Sequence, residues 1–363
     1  MYRLSGIFII LLSIFSLTTA QDDVRNHPFS VFVESNIDAT GLDRLLFVDM
    51  LTGETTDLTI YGERYTIYDQ AVLFYDYAAR QMRLATPDGT TQDHPFIQMR
   101  ADIQRVDWVV SEDRNQIAWT LTGTDAQARL ETTTFISDAD GTTIREVYTS
   151  VDEANRNTRA MPIALDTQNN RLYMDLQPDR IREFTPFKLY AQLFSVDLTT
   201  GEMTILPGEA GRCLCGADVR RNTFIRPRLT DDLQAYDIVL HDLNAQVSEV
   251  LPALRFNTRY ETGDIIIAPD GDRAIYTLSS IEDFGQPNES INTLFILVDL
   301  NARTHQPLIQ QPIRTFVIPA GWSDDSSALL LANPNQNGTW KINIADGRLE
   351  RIADATYIGQ LLR

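Results

Sequence analysis

The chain has 363 residues, enough for two ordinary domains or one large all-β domain, and 43% of them are apolar, so a substantial core can be buried. A formal charge of −19 excludes nucleic acid and an anionic membrane surface as main partners, because like charges repel. Among the 31 basic residues only Lys188 and Lys341 are lysines, so the cations are almost all rigid guanidinium forks suited to carboxylates.

Residues 1–20, "MYRLSGIFIILLSIFSLTTA", have a positive flank at Arg3, a short apolar run and a small-residue end at Ala20. That is the layout of a secretory signal peptide, and an uncleaved anchor is the alternative. The expectation is an exported chain, secreted or periplasmic, with one domain over 21–363 and no membrane contact beyond the export signal.

From there the sequence repeats itself. One phrase is an apolar run, a polar turn and a second apolar run. It reads "WVVSEDRNQIAWTL" from Trp108, "PIALDTQNNRLYMDL" from Pro162, "RPRLTDDLQAYDIVL" from Arg226, "IIIAPDGDRAIYTL" from Ile265 and "AGWSDDSSALLLAN" from Ala320. Pro269, Asp270 and Gly271 supply explicit turn chemistry, so each copy predicts a tight hairpin. A second phrase fills the gaps, as in "LLFVDMLTGETTDLTI" from Leu45 and "LFSVDLTTGEMTIL" from Leu193. Here a strand ends in Asp, and Asp49, Asp197, Asp242 and Asp299 are expected to cap their turns by accepting from backbone N–H groups.

Asp197, Asp242, Asp299 and Asn343 follow one another at intervals of 45, 57 and 44 residues. Two hairpins per interval make four antiparallel strands, and no helical period follows residue 20. Such a period indicates an all-β, seven-bladed β-propeller, with six and eight blades as the neighbouring counts. The expected blades are 28–62, 63–100, 101–150, 157–208, 217–255, 261–310 and 314–352. The first lacks an innermost strand, and the apolar run Tyr357 to Leu361 has no blade of its own. It is expected to supply that strand and close the ring, which protects the sheet edges.

The hairpins, "IIIAPDGDRAIY" above all, resemble TolB-type propeller repeats. TolB itself is a periplasmic scaffold with a separate domain before its propeller. Only a few residues separate the leader from blade 1 here, so the chain is expected to lack that domain, and TolB's particular role is not carried over. Prolyl oligopeptidases carry similar propellers beside a catalytic domain, and no such domain is expected here.

Propeller loops fall on two faces. The two tight turns of each blade share one face, whereas connections between middle strands and between blades share the other and are longer, which makes the second face the expected binding surface. "QPDRIREFTPFK" carries Arg180, Arg182 and Phe184. "PGEAGRCLCGADVRRN" carries Arg212, Arg220 and Arg221. "SIEDFGQPNESIN" offers Phe284 as an anchor. These residues are expected to converge on a protein, peptide or glycan partner, with an acidic one the best match. Cys213 and Cys215 admit a local disulfide, inert thiols or a metal site. The sequence has no serine, phosphate-loop or His-x-x-x-His motif, so the reading is non-catalytic, with no cofactor and no metal. The alternative is a metal-dependent hydrolase or lyase in the central channel, drawing on Asp107, Asp264 and Asn222.

Overall fold

A computed structural model of the chain describes residues 28–152, 157–178, 189–208, 214–283 and 286–361. Its turns are set by short polar side chains. Asp49 Oδ1 accepts from the N–H groups of Leu51 and Thr52 at 2.8 and 2.9 Å. Asp197 does the same for Thr199 and Thr200, Asp242 for Asn244 and Ala245, and Asp299 for Asn301 and Ala302. The capping role expected of all four is therefore seen. The fourth residue after each Asp has positive φ. It is Gly53 and Gly201 in two blades, but Gln246 and Arg303, both at φ 56°, in two others. An L-residue there costs roughly 1–2 kcal/mol, which the capping bonds help to offset.

Seven four-stranded antiparallel sheets result. From the axis outward, blade 1 is Thr356–Leu361, Phe29–Glu34, Asp43–Asp49 and Thr55–Ile60. Blade 2 is Gly62–Tyr68, Ala71–Asp76, Gln81–Ala85 and Thr91–Asp93, and blade 3 is Ile103–Val110, Gln116–Thr124, Leu130–Asp138 and Arg145–Val151. Blade 4 is Thr158–Asp166, Arg171–Pro178, Leu193–Asp197 and Met203–Ile205, and blade 5 is Asp218–Arg220, Thr223–Leu229, Tyr236–Asp242 and Val247–Leu251. Blade 6 is Glu261–Ile267, Arg273–Glu282, Ser290–Asp299 and Thr304–Pro307, and blade 7 is Ile318–Trp322, Ala328–Asn333, Gln336–Asn343 and Leu349–Ala353. Among the described residues there is no α-helix, only a single 3₁₀ turn at Ile37–Ala39.

The ring closes where the sequence places the closure. Leu361 pairs with Phe29, Gln360 with Ser30 and Gly359 with Val31, and after a bulge Tyr357 pairs with Phe32. Gly359 has φ 144°, and a Cβ there would lie 2.5 Å from Ile67 Cγ1, so glycine lets the closing strand press against blade 2. On its other side the seam is polar. Thr339 Oγ1 donates to Ala355 O and accepts from Tyr357 N, both at 2.7 Å. Asn337 pairs its carboxamide with the backbone N–H and C=O of Ser35, both at 2.9 Å.

Because every sheet is covered on both faces by its neighbours, the core is a ring of clusters between blades. Val31, Phe47, Val72 and Phe74 fill the space between blades 1 and 2. Ile238, Leu240, Ile265 and Tyr276 do so between blades 5 and 6, and Phe295, Leu329 and Leu331 between blades 6 and 7.

Blade 5 departs from the sequence reading. "RPRLTDDLQAYDIVL" is not its inner hairpin but the connection between its two middle strands. The inner strand is only Asp218–Arg220, and it turns directly through Arg221 and Asn222 into Thr223–Leu229. This moves Asp231 and Asp232 to the long-loop face, and Arg220 and Arg221 to the tight-turn face. In blade 7 the expected loop "NPNQNG" shrinks to a tight hairpin, with Asn333 paired to Gln336.

Candidate functional site

Around the axis the innermost strands of blades 2, 3 and 4 share one carboxylate. Asp107 is 3% exposed. Its Oδ1 receives Arg64 Nη1 at 2.6 Å, and its Oδ2 receives Arg159. Arg64 also donates to Val106 O at 2.9 Å and lies 4.1 Å over the Trp108 ring. Arg64 can turn inward because it sits at a bulge with φ 61°. Asp107 was a candidate channel metal ligand. With both oxygens held by guanidinium groups it is instead a shared counter-ion of two arginines. Among the described residues, no group of three His, Cys, Asp or Glu side chains is placed to hold a metal ion.

On the tight-turn face the turns are laced to one another. Asp113 bonds to Thr167, joining blades 3 and 4. Asn169 Nδ2 donates to Arg221 O at 3.3 Å, joining blades 4 and 5. Arg221 donates to Asp270 O at 2.6 Å and Pro269 O at 3.3 Å, joining blades 5 and 6. Asp270 N donates to Ser326 Oγ at 3.2 Å, joining blades 6 and 7. Two bonds run between non-adjacent blades: Arg220 pairs with Glu112, and Arg114 Nη1 donates to Gln360 O of the closing strand at 2.6 Å. Burial alone would raise the Asp113 and Asp270 carboxyls. The hydrogen bonds they accept outweigh it and hold both below the ordinary range. Ser323 and Ser327 pull Asp325 down to about 2. The 330 Å³ hollow on this face is lined by Glu112, Asp113, Asp166, Thr167, Arg220 and Arg221, most of them members of the lacing.

The long-loop face is different. A cleft of about 560 Å³ opens there between blades 7, 1 and 2, lined by Asn36, Tyr65, Asn333, Gln336 and Asn337 with Arg64 at the axis. A wider depression of 720 Å³ lies over blade 5, where Arg228 pairs with Asp237 and Arg255 with Asp232, each at 2.7 Å. Over blades 4 and 5 the chain makes an extra two-stranded ribbon, with Leu189 opposite Cys215 and Tyr190 opposite Leu214. Asp175, fully buried beneath it, accepts from the N–H groups of Ala191 and Gln192.

That ribbon joins the two segments on which the arginine candidates were found. Arg180, Arg182, Phe184, Arg212 and Cys213 lie outside the described residues, as does Phe284, and of Cys215 only the backbone is described. The structure therefore brings the ends of both segments together but separates Arg220 and Arg221 from them. The reason is the short inner strand of blade 5, which carries those two arginines down to the opposite face. Sequence reasoning missed Arg64 and Arg159, whose shared partner is 43 and 52 residues away. It also missed Tyr61 and Tyr77, exposed at strand ends on the long-loop face, although "YGERY" and "FYDYAAR" signal them as aromatic residues next to turns.

No protein-family model matches the chain, and no curated protein matches its sequence. Solved structures do. A prolyl endopeptidase aligns with 90% of this chain at 10% identity and a TM-score of 0.60, and the aligned part is 50% of that enzyme, so the chain spans about half its length. The β-propeller domain of the Trilobed protease from Pyrococcus furiosus aligns over 90% of this chain and 91% of its own, at 12% identity and a TM-score of 0.51. TolB from Acinetobacter baumannii aligns over 92% of this chain and 82% of its own, at 10% identity and a TM-score of 0.43. The Pyrococcus domain has an open velcro topology, whereas this ring is closed by Thr356–Leu361. At such identities what is shared is the fold: the chain is a seven-bladed β-propeller.

Proposed function

We propose that the chain is an exported, non-catalytic propeller that captures an acidic protein, peptide or glycan on its long-loop face. The contact set is Arg180, Arg182, Phe184 and Arg212, with Phe284 as an anchor beside it. The observation that carries this reading is the ribbon of Leu189–Tyr190 with Leu214–Cys215, which ties both arginine-bearing segments to one place. Arg220 and Arg221 leave the contact set, since they serve the lacing of the other face. A bond between Cys213 and Cys215 would pin the tip of the same loop.

Guanidinium forks recognise carboxylates in pairs, and each charge-assisted bond contributes about 1.5–3 kcal/mol. Poly-glutamate and oligogalacturonate serve as the acidic peptide and acidic glycan probes, titrated at physiological salt. Replacing Arg180, Arg182 and Arg212 together by Ala should weaken binding by at least about a hundredfold. Replacing Arg220 and Arg221 should leave it unchanged. Binding that survives the triple replacement, or no binding of either probe, overturns the reading. N-terminal sequencing of the purified mature protein checks the export step, with Gln21 as the expected first residue.

A further inference from the structure

A pair of exposed tyrosines lies on the same face, across the ring from the ribbon over blades 4 and 5. The connection between blades 1 and 2 places Tyr61 at the surface, and the middle turn of blade 2 places Tyr77 beside it. Their rings lie 5.1 Å apart, and Tyr77 N donates to Tyr61 O at 2.9 Å, so the pair is fixed by the backbone. Tyr75 packs edge-on behind Tyr77 at 5.6 Å. Tyr61 is 51% exposed and Tyr77 40%, which is much aromatic surface to leave in water. The rings touch each other, so no cation can enter between them. What they offer is a bent platform, two exposed aromatic faces inclined at 47° to each other.

The polar groups around the platform say what kind of molecule would lie on it. The Tyr77 hydroxyl bonds to Glu63, and the Tyr65 hydroxyl donates to Asp43 Oδ2 at 2.9 Å. Each phenol that gives its proton to a carboxylate keeps lone pairs for accepting. Next to them is the cleft with Asn36, Gln336 and Asn337, planar amides that both donate and accept. Carboxylates and phenol oxygens are acceptors and want a ligand rich in O–H donors. A proline-rich peptide also stacks on tyrosine, but it presents carbonyl acceptors to these acceptors. A sugar ring presents an apolar C–H face to the platform and hydroxyl donors at its edge.

We propose that Tyr61 and Tyr77, with Glu63, Tyr65 and the neighbouring amide cleft, bind a neutral oligosaccharide. The site is independent of the arginine segments, and its ligand is uncharged where theirs is acidic.

The test titrates the full mature chain with neutral oligosaccharides of β-linked glucose, β-linked xylose, β-linked N-acetylglucosamine and α-linked glucose. At least one should bind with a Kd below about 10 mM. Replacing Tyr61 and Tyr77 together by Ala should weaken that binding at least about tenfold with an unchanged melting temperature, since both rings are exposed. Glu63→Gln should weaken it less, because an amide oxygen still accepts. Replacing Arg180, Arg182 and Arg212 should not change it, so this proposal and the acidic-partner reading fail separately. The inference is overturned if none of the four binds, if binding is indifferent to the tyrosines, or if a proline-rich peptide is the ligand that needs them.

Discussion

The two faces of the ring use the same residue types for different ends. On the tight-turn face Arg220, Arg221 and Arg114 reach across to other blades, and the acidic turn residues Asp113 and Asp270 each bond to a neighbouring turn. On the long-loop face charged and aromatic side chains surround open clefts. Over blades 4 and 5 the difference follows from loop length. A turn of two to five residues holds its side chains within reach of the next turn around a narrow axis, so they bond to each other. A longer connection rises away from the axis, and its side chains meet solvent or a partner instead. Arg220, Arg221 and Arg114 on the tight-turn face are therefore ties between blades, whereas Arg228 and Arg255 on the other face pair locally beside an open depression.

The sharpest way to break this comparison lies between the faces, at Asp107. Asp107→Ala takes a buried carboxylate from Arg159, which is 7% exposed, and removes the link among three inner strands. Removing one partner from a buried ion pair costs about 3–5 kcal/mol. Urea denaturation should show that loss. A variant as stable as the parent would mean that the cluster does not hold the axis together.

Acid should act on the two sides in order. His94 lies in the connection between blades 2 and 3, on the long-loop side, and its Nδ1 accepts from Ile97 N at 3.1 Å. Burial lowers its pKa from the ordinary 6.5 to about 4. The unfolded chain thus binds a proton between those values that the folded chain does not. Stability is full above about pH 6.5 and falls as pH drops through the window, by about 3 kcal/mol near pH 4. His94→Asn, whose Oδ1 can accept the same N–H bonds, should flatten the stability profile in that window. The turn carboxylates behave otherwise. Their depressed pKa values keep their contribution until pH falls well below the ordinary carboxylate range, with Asp325 titrating only near 2. Acid should therefore loosen the connection at His94 before it unlaces the turns, and amide exchange between pH 6.5 and 4 reads which side opens first.

How far the sequence carries this picture depends on how local each feature is. The seven blades, the Asp-capped turns and the closing strand are written in contiguous phrases, because a turn and its cap lie within four residues of each other. Blade 5 defeats such reading. Its inner strand is three residues long, its turn has no Pro-Asp-Gly or Ser-x-Asp signature, and a better-looking turn, "TDD", lies a few residues on. The misplacement of Arg220 and Arg221 follows directly. The Arg64–Asp107–Arg159 cluster and the lacing were illegible for a different reason. Their partners come from different blades, and nothing near Asp107 in sequence shows that two arginines will reach it. The tyrosine platform falls between these cases: each ring is visible beside its turn, but their adjacency depends on blade packing.

Two smaller effects sharpen the contrast. Arg221→Ala removes the bonds to Pro269 O and Asp270 O and should cost about 1–3 kcal/mol, read as a shift of the urea midpoint at unchanged slope. It should leave partner binding on the long-loop face intact. The smallest effect is expected at Arg220 and Glu112. Glu112 is largely solvated, its side chain 71% exposed, so the pair is screened and contributes about 0.2–1 kcal/mol at low salt. Exchanging the two residues, Arg220→Glu with Glu112→Arg, keeps the attraction, whereas either change alone sets like charges facing each other. The double variant should match the parent and each single variant should fall below it, with the gap closing as salt is raised. If the singles are also neutral, blades 3 and 5 are held to each other through the intervening blade 4. The arginine at the end of that three-residue strand would then be no tie at all, and it would have to be counted again among the surface cations open to a partner.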